Sequence, residues 1–357
     1  MINRRTLLVT GAAALAAPAR LHAATPLKVG FIYQSPRNDR GWTENHERAR
    51  IAVEKHFGDR VSTTFVENIQ GQADAERVIR QLAQSGNDLI ISTSFSFMNP
   101  TIKVARQFPK VKFEHATGYE RTPNLATYAA RYYEGRDIMG LVAGKMTKTN
   151  TIGYIASFPI PGVLRGINAA FLAARRVNPK VEMKVIWIST WFDPGKEADA
   201  ANALIQQGAD VLMQHVNSPA PMRVAEEKGV RAFGLAVDMS EYGPKAHLTS
   251  MMFNWAPYYI RRIQAVLDGN WKSEDTWEGI GPGMIAFSPF ASDIPADVIA
   301  SVKARMAELS AGGRHPFAGP LNRQDGTRWL AEGASPTDGE LLKVNFYVEG
   351  IGGALPK

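Results

Sequence analysis

Residues 27–66, LKVGFIYQSPRNDRGWTENHERARIAVEKHFGDRVSTTFV, give the clearest indication of the fold class. Leu27–Tyr33 is a short apolar run that predicts a buried strand, and Thr43–Phe57 has the length and mixed polarity of an amphipathic helix. Val61–Val66 is rich in β-branched residues and predicts a second strand. A strand, a helix and another strand in this order predict a βαβ unit with parallel strands.

The same alternation continues and then repeats. In the first half we predict further helices at 73–85 and 99–107 and strands at 88–92 and 111–115. After a helix at 133–148, we predict strands at 151–155, 181–188, 210–214, 232–235 and 247–252 and helices at 161–177, 194–207 and 219–228. One long helix after Trp255 and an irregular tail rich in Gly and Pro complete the chain. Two such halves predict an α/β protein with two doubly wound parallel-sheet lobes and a cleft at the carboxyl ends of the strands.

The first residues have the features of a secretory signal peptide. Arg4 and Arg5 precede the short apolar run Leu7–Ala17, and the small residue Ala23 stands at the expected cleavage position. We therefore expect residues 1–23 to direct export to the periplasm. The arginine pair also matches the twin-arginine route, although many ordinary signals begin with two basic residues.

We expect the rest of the chain to pass more than once between the lobes. Lobe 1 is predicted to contain residues 24–127 and about 253–290, and lobe 2 residues 128–252 and about 291–357. The chain has no low-complexity linker between these segments.

The composition excludes several kinds of protein. The 357 residues include no cysteine, which rules out disulfides, thiolate-bound zinc and a cysteine nucleophile. Lys and Arg number 41 against 34 Asp and Glu, but they form no basic cluster, so we expect no nucleic-acid partner. The histidines lack metal-ligand spacing, and Gly140–Lys145, which superficially matches a phosphate-binding loop, lies inside a predicted helix. These features favour a binding protein without catalytic residues, metal or cofactor over an enzyme.

Aromatic residues follow four of the predicted strands, on the side where the cleft is expected. They are Trp42, Phe95, Phe97, Trp191, Phe192, Phe253 and Trp255, of which Trp42, Phe95, Phe97, Trp191 and Phe253 are the predicted ligand contacts. Two facing rings can hold a flat heterocycle between them, and each stacked base contributes about 1–3 kcal/mol. The alternative for each ring is packing at a lobe edge. For Trp42 and Trp191 together, a sandwich around a flat ligand is the favoured interpretation.

Polar side chains share these strand exits. Thr43, Asn217, Asp238 and Asn254 are candidates for hydrogen bonds to the edge of such a ligand, because Asn both donates and accepts and Asp accepts. For Asp238 the alternative is a turn or helix cap before Met239 and Ser240.

Several segments, in order, resemble the basic membrane protein family, the exported binding components of purine-type ABC transporters. They include Gly41–Glu44, residues 133–144 (YEGRDIMGLVAG), residues 206–210 (QQGAD) and residues 319–326 (GPLNRQDG). The resemblance spans nearly the whole chain after the leader. It implies a type I periplasmic binding fold, in which two lobes hinged by three crossings close on a nucleoside or base.

Departures from the family's nucleoside-binding pattern imply a different ligand. Gly41–Glu44 (GWTE) stands in place of Ser-Phe-Asn-Gln, so the stacking ring is larger and a base-reading Asn is replaced. Trp191 corresponds to the second stacking Phe, and Asp238 keeps one of two acids that hold the ribose. Phe253 stands where the family has a Lys, and Gly118 where it has a base-reading Asp. The loss of sugar-holding groups implies a free base.

We therefore predict a periplasmic, monomeric solute-binding component of an ABC importer. Its ligand is predicted to be a free purine base, with adenine or hypoxanthine ahead of oxidised purines, and its partner an inner-membrane permease. A purine nucleoside receptor of the same fold, an exported nucleoside hydrolase and a receptor that reports to a membrane sensor are the alternatives.

Overall fold

A computed structural model describes residues 25–356, and the predicted leader lies outside the described residues. The first half of the chain alternates strands and helices: β1 (Leu27–Ile32), α1 (Trp42–Phe57), β2 (Val61–Val66), α2 (Gln72–Gln84), β3 (Leu89–Ser92), α3 (Met98–Gln107), β4 (Lys112–Ala116) and β5 (Leu125–Ala130). The predicted elements of this half are confirmed, with ends shifted by one residue at most. Strand β5 was not predicted, because its sequence, LATYAA, is short and consists mainly of small residues.

The second half repeats the alternation: α4 (Tyr132–Met146), β6 (Thr151–Ala156), α5 (Pro161–Val177), β7 (Glu182–Trp187), α6 (Pro194–Gln206), β8 (Val211–His215), α7 (Ala220–Lys228), β9 (Arg231–Ala236) and β10 (His247–Phe253). The predicted elements of this half are confirmed. Gly140 and Lys145 lie inside α4, as expected.

The last part of the chain is more regular than the sequence predicts: α8 (Trp255–Leu267), β11 (Asp275–Glu278), β12 (Ile285–Phe287), α9 (Ala296–Ser310), β13 (Leu321–Asn322), β14 (Arg328–Leu330) and α10 (Asp338–Leu341). The expectation of an irregular tail was wrong for α9. That helix buries only Val298, Val302 and Arg305, so its apolar periodicity is weak. Among residues 25–356, no helix is both long and apolar enough to cross a membrane.

The five strands of each half form a sheet, and the last part of the chain adds one strand to each, which makes both sheets six-stranded. The first sheet has the order β11-β5-β4-β3-β1-β2 and is parallel throughout. The second has the order β12-β10-β9-β8-β6-β7, and only its edge strand β12 is antiparallel. Central strands such as β3 are buried along their whole length, as expected when helices cover both faces of a parallel sheet. The prediction of two doubly wound lobes is confirmed.

The chain crosses between the lobes three times. After β5 it enters α4, which packs on α5 of the second lobe, and after β10 it enters α8, which packs on α1 of the first. The third crossing joins β11, in the first sheet, to β12, in the second. Residues 285–287 therefore belong to the second sheet, whereas the sequence predicts the first lobe up to about residue 290. The segment between α8 and α9 contains no pattern that marks this change of lobe.

Helix α4 begins at the first crossing and packs very closely on α5. A Cβ atom at Gly140 would overlap the backbone carbonyl oxygen of Ala170 on the neighbouring helix. The fully buried Asp137 accepts a hydrogen bond from Arg305 Nε of α9 at 2.7 Å, which ties the same helix to the C-terminal part of the chain. These contacts fix the position of α4, whose first residue, Tyr132, lines the cleft.

Gly140→Ala is expected to lower the free energy of unfolding by about 1–3 kcal/mol, because α4 and α5 must move apart. Gly195→Ala is the matched control, since its Cβ would lie at an ordinary 3.4 Å from Asp193 Oδ1 near the start of α6. That control should be neutral or stabilising by up to about 1 kcal/mol. Urea unfolding followed by circular dichroism measures both variants. Equal stabilities of the two variants would contradict the close packing of α4 on α5.

Candidate functional site

A cavity of about 560 Å³ lies between the lobes, at the carboxyl ends of the strands. Its first wall is formed by loops after β1, β3 and β4 and by side chains of β11. Its second wall is formed by the starts of α4 and α5 and by loops after β7 and β8. Gly339, Leu342 and Lys343, in and just after α10, close one side. This position, at the carboxyl ends of two parallel sheets, is where doubly wound proteins bind ligands.

Five of the residues predicted to bind ligand line this cavity: Trp42, Phe95, Trp191, Asn217 and Phe253. The indole N–H of Trp42 donates to the Thr93 carbonyl oxygen at 2.6 Å, which fixes its ring at the start of α1. The indole N–H of Trp191 donates across the cleft to Ser96 Oγ at 3.3 Å. The structure thus places the two tryptophans on opposite lobes of one cavity.

A chain of ring contacts connects the two indoles. Ring centroids are 6.3 Å apart for Trp42 and Tyr132, 6.0 Å for Tyr132 and His215, and 6.3 Å for His215 and Trp191. The four aromatic neighbours of Trp42 within the described chain are all edge-to-face, with interplanar angles from 60° to 76°. No described ring therefore lies parallel to Trp42. Such an indole keeps the capacity to stack on a flat ligand.

Thr43 and Phe97 do not line the cavity. The Thr43 side chain is fully buried, and its hydroxyl is 2.6 Å from Ser35 Oγ beneath the first turn of α1. Phe97 closes a short 3-10 turn that begins at Phe95. This turn directs Phe95 into the cavity and Phe97 into the core of the first lobe, where it is fully buried.

Asp238 and Asn254 do not line the cavity either. Asp238 is exposed, and its Oδ1 accepts a hydrogen bond from the Ser240 backbone N–H at 3.0 Å. This is the turn that the sequence left open as the alternative for Asp238. Asn254 is exposed at the residue before α8, and its backbone N–H donates to the Met284 carbonyl oxygen at 3.0 Å. Its side chain forms no cap on α8.

The wall also contains residues that were not predicted, among them Tyr132, Arg165 and His215. His215 is the last residue of β8. Its position at the carboxyl end of a strand, like that of the tryptophans, could have marked it as a cavity residue. Tyr132 opens α4, where a helix start gives no sign of a ligand contact. Arg165 lies inside α5, where an arginine in sequence predicts a solvated face, yet it is buried against the cavity.

The polar groups of the wall can hydrogen-bond the edge of a ring. Burial, reinforced by the nearby charge of Arg136, lowers the pKa of His215 to about 3, so the imidazole is neutral at neutral pH. A neutral imidazole offers one donor and one acceptor. The Asn217 side-chain amide forms no hydrogen bond with the described residues. Gln34 Oε1 accepts from Ser94 Oγ, which leaves the Gln34 NH₂ group for another partner.

The cavity is suited to binding a planar, polar-edged molecule. Aromatic rings form its sides, and a neutral histidine and two amides supply donors and acceptors. Over residues 25–356, no group of three or more His, Asp or Glu side chains is arranged to hold a metal ion.

Comparisons with known proteins show which family the chain is similar to. A family model described as ABC transporter substrate-binding protein, PnrA-like, matches residues 27–308. A purine-binding protein of Brucella abortus is 49% identical over 336 residues, which cover 94% of this chain and 96% of that protein. A protein of Haloferax volcanii, named provisionally as an ABC transporter glucose-binding protein, is 34% identical over 330 residues, covering 92% of this chain and 81% of the relative.

The fold is shared with solved solute-binding proteins. An ABC transporter solute-binding protein of Aeropyrum pernix superposes with a TM-score of 0.71 at 19% identity, covering 80% of this chain and 92% of the other. Since the family model matches most of the described chain, this protein belongs to the Bmp family of PnrA-like ABC transporter substrate-binding proteins and has the type I periplasmic binding fold.

Proposed function

We propose that the protein binds a free purine base between Trp42 and Trp191 in the periplasm and presents it to the inner-membrane permease of an ABC importer. The observation that carries this proposal is the aromatic cavity wall, in which Trp42 has no parallel-stacked partner among the described residues. A purine ring fits this wall because stacking uses its faces and leaves its edges for hydrogen bonds. The 49% identity to a purine-binding relative supports the same ligand class.

The edge of the base is proposed to contact Asn217, His215 and Gln34. Each carries hydrogen-bonding capacity that the described chain leaves unused, and all three line the cavity. Thr43, Phe97, Asp238 and Asn254 are not part of this proposed site. The periplasmic location rests on the leader-like residues 1–23 and on the family's role.

A nucleoside is the main rival ligand, and one observation favours it. Cavities of about 300–1,000 Å³ usually hold drug-sized molecules, and a base alone would fill only part of 560 Å³. A sugar is the second rival, because the Haloferax relative is named for glucose. An exported nucleoside hydrolase would convert inosine to hypoxanthine on overnight incubation, and we expect no such product.

Ligand binding is proposed to require full closure of the lobes. Contacts between the lobes across the cleft include the Trp191 indole N–H to Ser96 Oγ and the backbone of Gly41 against that of Asn217. A Cβ atom at Gly41 would overlap the Asn217 carbonyl oxygen. Glycine at position 41 therefore permits the approach that brings Trp42 to the second lobe.

Replacing either tryptophan by alanine should weaken the binding of hypoxanthine or adenine. Loss of one stacking ring costs about 1–3 kcal/mol, or about fivefold to 150-fold in Kd. Isothermal titration of protein that has been unfolded and refolded, to remove any retained ligand, measures this for Trp42→Ala and Trp191→Ala. Trp329→Ala, which removes a ring packed on Phe317 and Phe346 away from the cavity, is the control. Unchanged affinity in both cavity variants would exclude the sandwich.

Gly41→Ala should bind purines at least about tenfold more weakly while folding normally. The added methyl group holds the lobes apart, so the binding-competent closed form becomes a minor population and the apparent Kd rises in proportion. Gly71→Ala is the matched control, because Gly71 likewise precedes a helix and a Cβ there would meet nothing within 4 Å. Small-angle X-ray scattering with and without base reports closure directly. Full affinity and compaction of Gly41→Ala would contradict the requirement for this contact.

A further inference from the structure

Arg165 stands out among the cavity residues because its charge is enclosed. It lies in the second turn of α5, is only 7% exposed and lines the cavity. Its Nη1 donates to the Leu341 carbonyl oxygen at 2.5 Å, and its guanidinium lies 4.9 Å from the centroid of the Trp277 ring. A guanidinium has five N–H donors, and the remaining four form no hydrogen bond with the described residues. The side chain is thus anchored at one end and still able to donate several hydrogen bonds.

No carboxylate of the described chain forms an ion pair with Arg165. Asp338, on the segment that Arg165 contacts, is held by both Nη atoms of Arg131 at 2.7 Å. Asp275, on the β11 wall of the cavity, is paired with Arg121 at 3.3 Å and accepts from Thr127 Oγ1 at 2.7 Å. Asp338 interacts with Arg165 electrostatically without bonding to it. Enclosing an arginine that has no directly bonded counter-charge is unfavourable unless a bound group compensates it.

A second cation stands on the same side of the cavity. Lys343 follows α10 and also lines the cavity, although its side chain is exposed and its charge is partly screened by solvent. Burial lowers the pKa of Arg165 to about 10, which leaves the guanidinium charged at neutral pH. The end of the cavity near α10 is therefore positive.

We propose that Arg165, assisted by Lys343, forms an anion subsite for an oxygen atom of the bound purine, and that the preferred ligand is an oxidised purine in its deprotonated form. This inference rests on the proposed function and names the class of base. A guanidinium pairs well with an oxygen that shares the negative charge of a deprotonated ring, because its N–H groups are directed in one plane. This proposal differs from the sequence-based prediction, which ranked adenine and hypoxanthine ahead of oxidised purines as ligands.

The subsite also accounts for the part of the cavity that an unsubstituted base would leave empty. A base held between the tryptophans fills part of the 560 Å³ cavity, and extra ring oxygens extend towards the positive end. Adenine offers an amino group instead, which would place a donor against the donors of Arg165. The arrangement therefore discriminates by charge and by hydrogen-bond polarity, which separates ligands more sharply than size alone.

Hypoxanthine, xanthine and urate provide the test, because each has one oxygen more than the one before. Urate is an anion at neutral pH, whereas hypoxanthine is neutral. Isothermal titration of the refolded protein is expected to give a Kd for urate at least about tenfold below that for hypoxanthine. Arg165→Gln should weaken urate binding by about tenfold to 100-fold and change hypoxanthine binding by less than about threefold.

Control variants separate a ligand contact from a general loss of structure. Arg165→Lys, which keeps the charge, should retain part of the preference for urate, and Arg77→Gln, at an exposed arginine of α2, should retain all of it. If Arg165→Gln fails to fold, as judged by circular dichroism, Lys343→Gln provides the second variant and should weaken urate binding by about threefold. Unchanged urate binding in that variant and in Arg165→Lys would overturn the subsite.

The pH dependence of xanthine binding gives an independent readout. Xanthine loses a ring proton near neutral pH, so its affinity for the wild-type protein should rise between about pH 6 and pH 8. This rise should disappear in Arg165→Gln. That variant keeps the other ionisable residues of the wall, which are Tyr119, Tyr132, His215, Asp275 and Lys343. The same rise in both proteins would contradict a role for Arg165.

Three outcomes distinguish a failure of the proposed function, a failure of the anion subsite alone, and binding of a separate anion in place of an oxygen of the base. If no purine binds, the proposed function fails. If purines bind but urate is no tighter than hypoxanthine, or the preference survives in Arg165→Gln, only the anion subsite fails. If inorganic phosphate strengthens hypoxanthine binding, the subsite takes a separate small anion, and the assignment to an oxygen of the base is overturned.

Discussion

The site depends on the close approach of the two lobes where α1 begins. At this point Gly41 meets the backbone of Asn217, with no room for a side chain between them. The approach carries Trp42 towards the second lobe and lets the Trp191 indole N–H reach Ser96 Oγ. Without it, the tryptophans would line two open surfaces instead of one enclosed cavity. Enclosure in turn removes water, which strengthens hydrogen bonds and ionic contacts to a bound ligand.

The architecture could be predicted from the sequence because parallel sheets leave a strong local signal. Runs such as Leu27–Tyr33 are mainly apolar, and the helices between them are amphipathic, so the local pattern predicts the order of most elements up to α8. Because ligands bind at the carboxyl ends of such strands, the positions of Trp42 and Trp191 after strands predict that both line the site. Both lie on the cavity wall, on opposite lobes.

Features that depend on turn geometry, on distant packing or on a weak apolar pattern could not be predicted. Phe95 and Phe97 are two residues apart in one loop, and only the 3-10 turn between them decides which ring reaches the cavity. In the sequence, Arg165 is indistinguishable from an exposed charged residue of a helix. Its burial depends on α10, which is distant in the chain. Helix α9 buries too few apolar residues to give a clear period.

The central claim is that the enclosed cavity selects a free purine base. The most direct measurement offers the refolded protein an equimolar mixture of purine bases, their nucleosides and glucose, removes unbound molecules by gel filtration, and identifies what is retained by mass spectrometry after denaturation. We predict that a free base is retained in about one equivalent per chain, with nucleosides and glucose left behind. Retention of a nucleoside or of glucose in preference to every base, or of none of these molecules, would contradict the account.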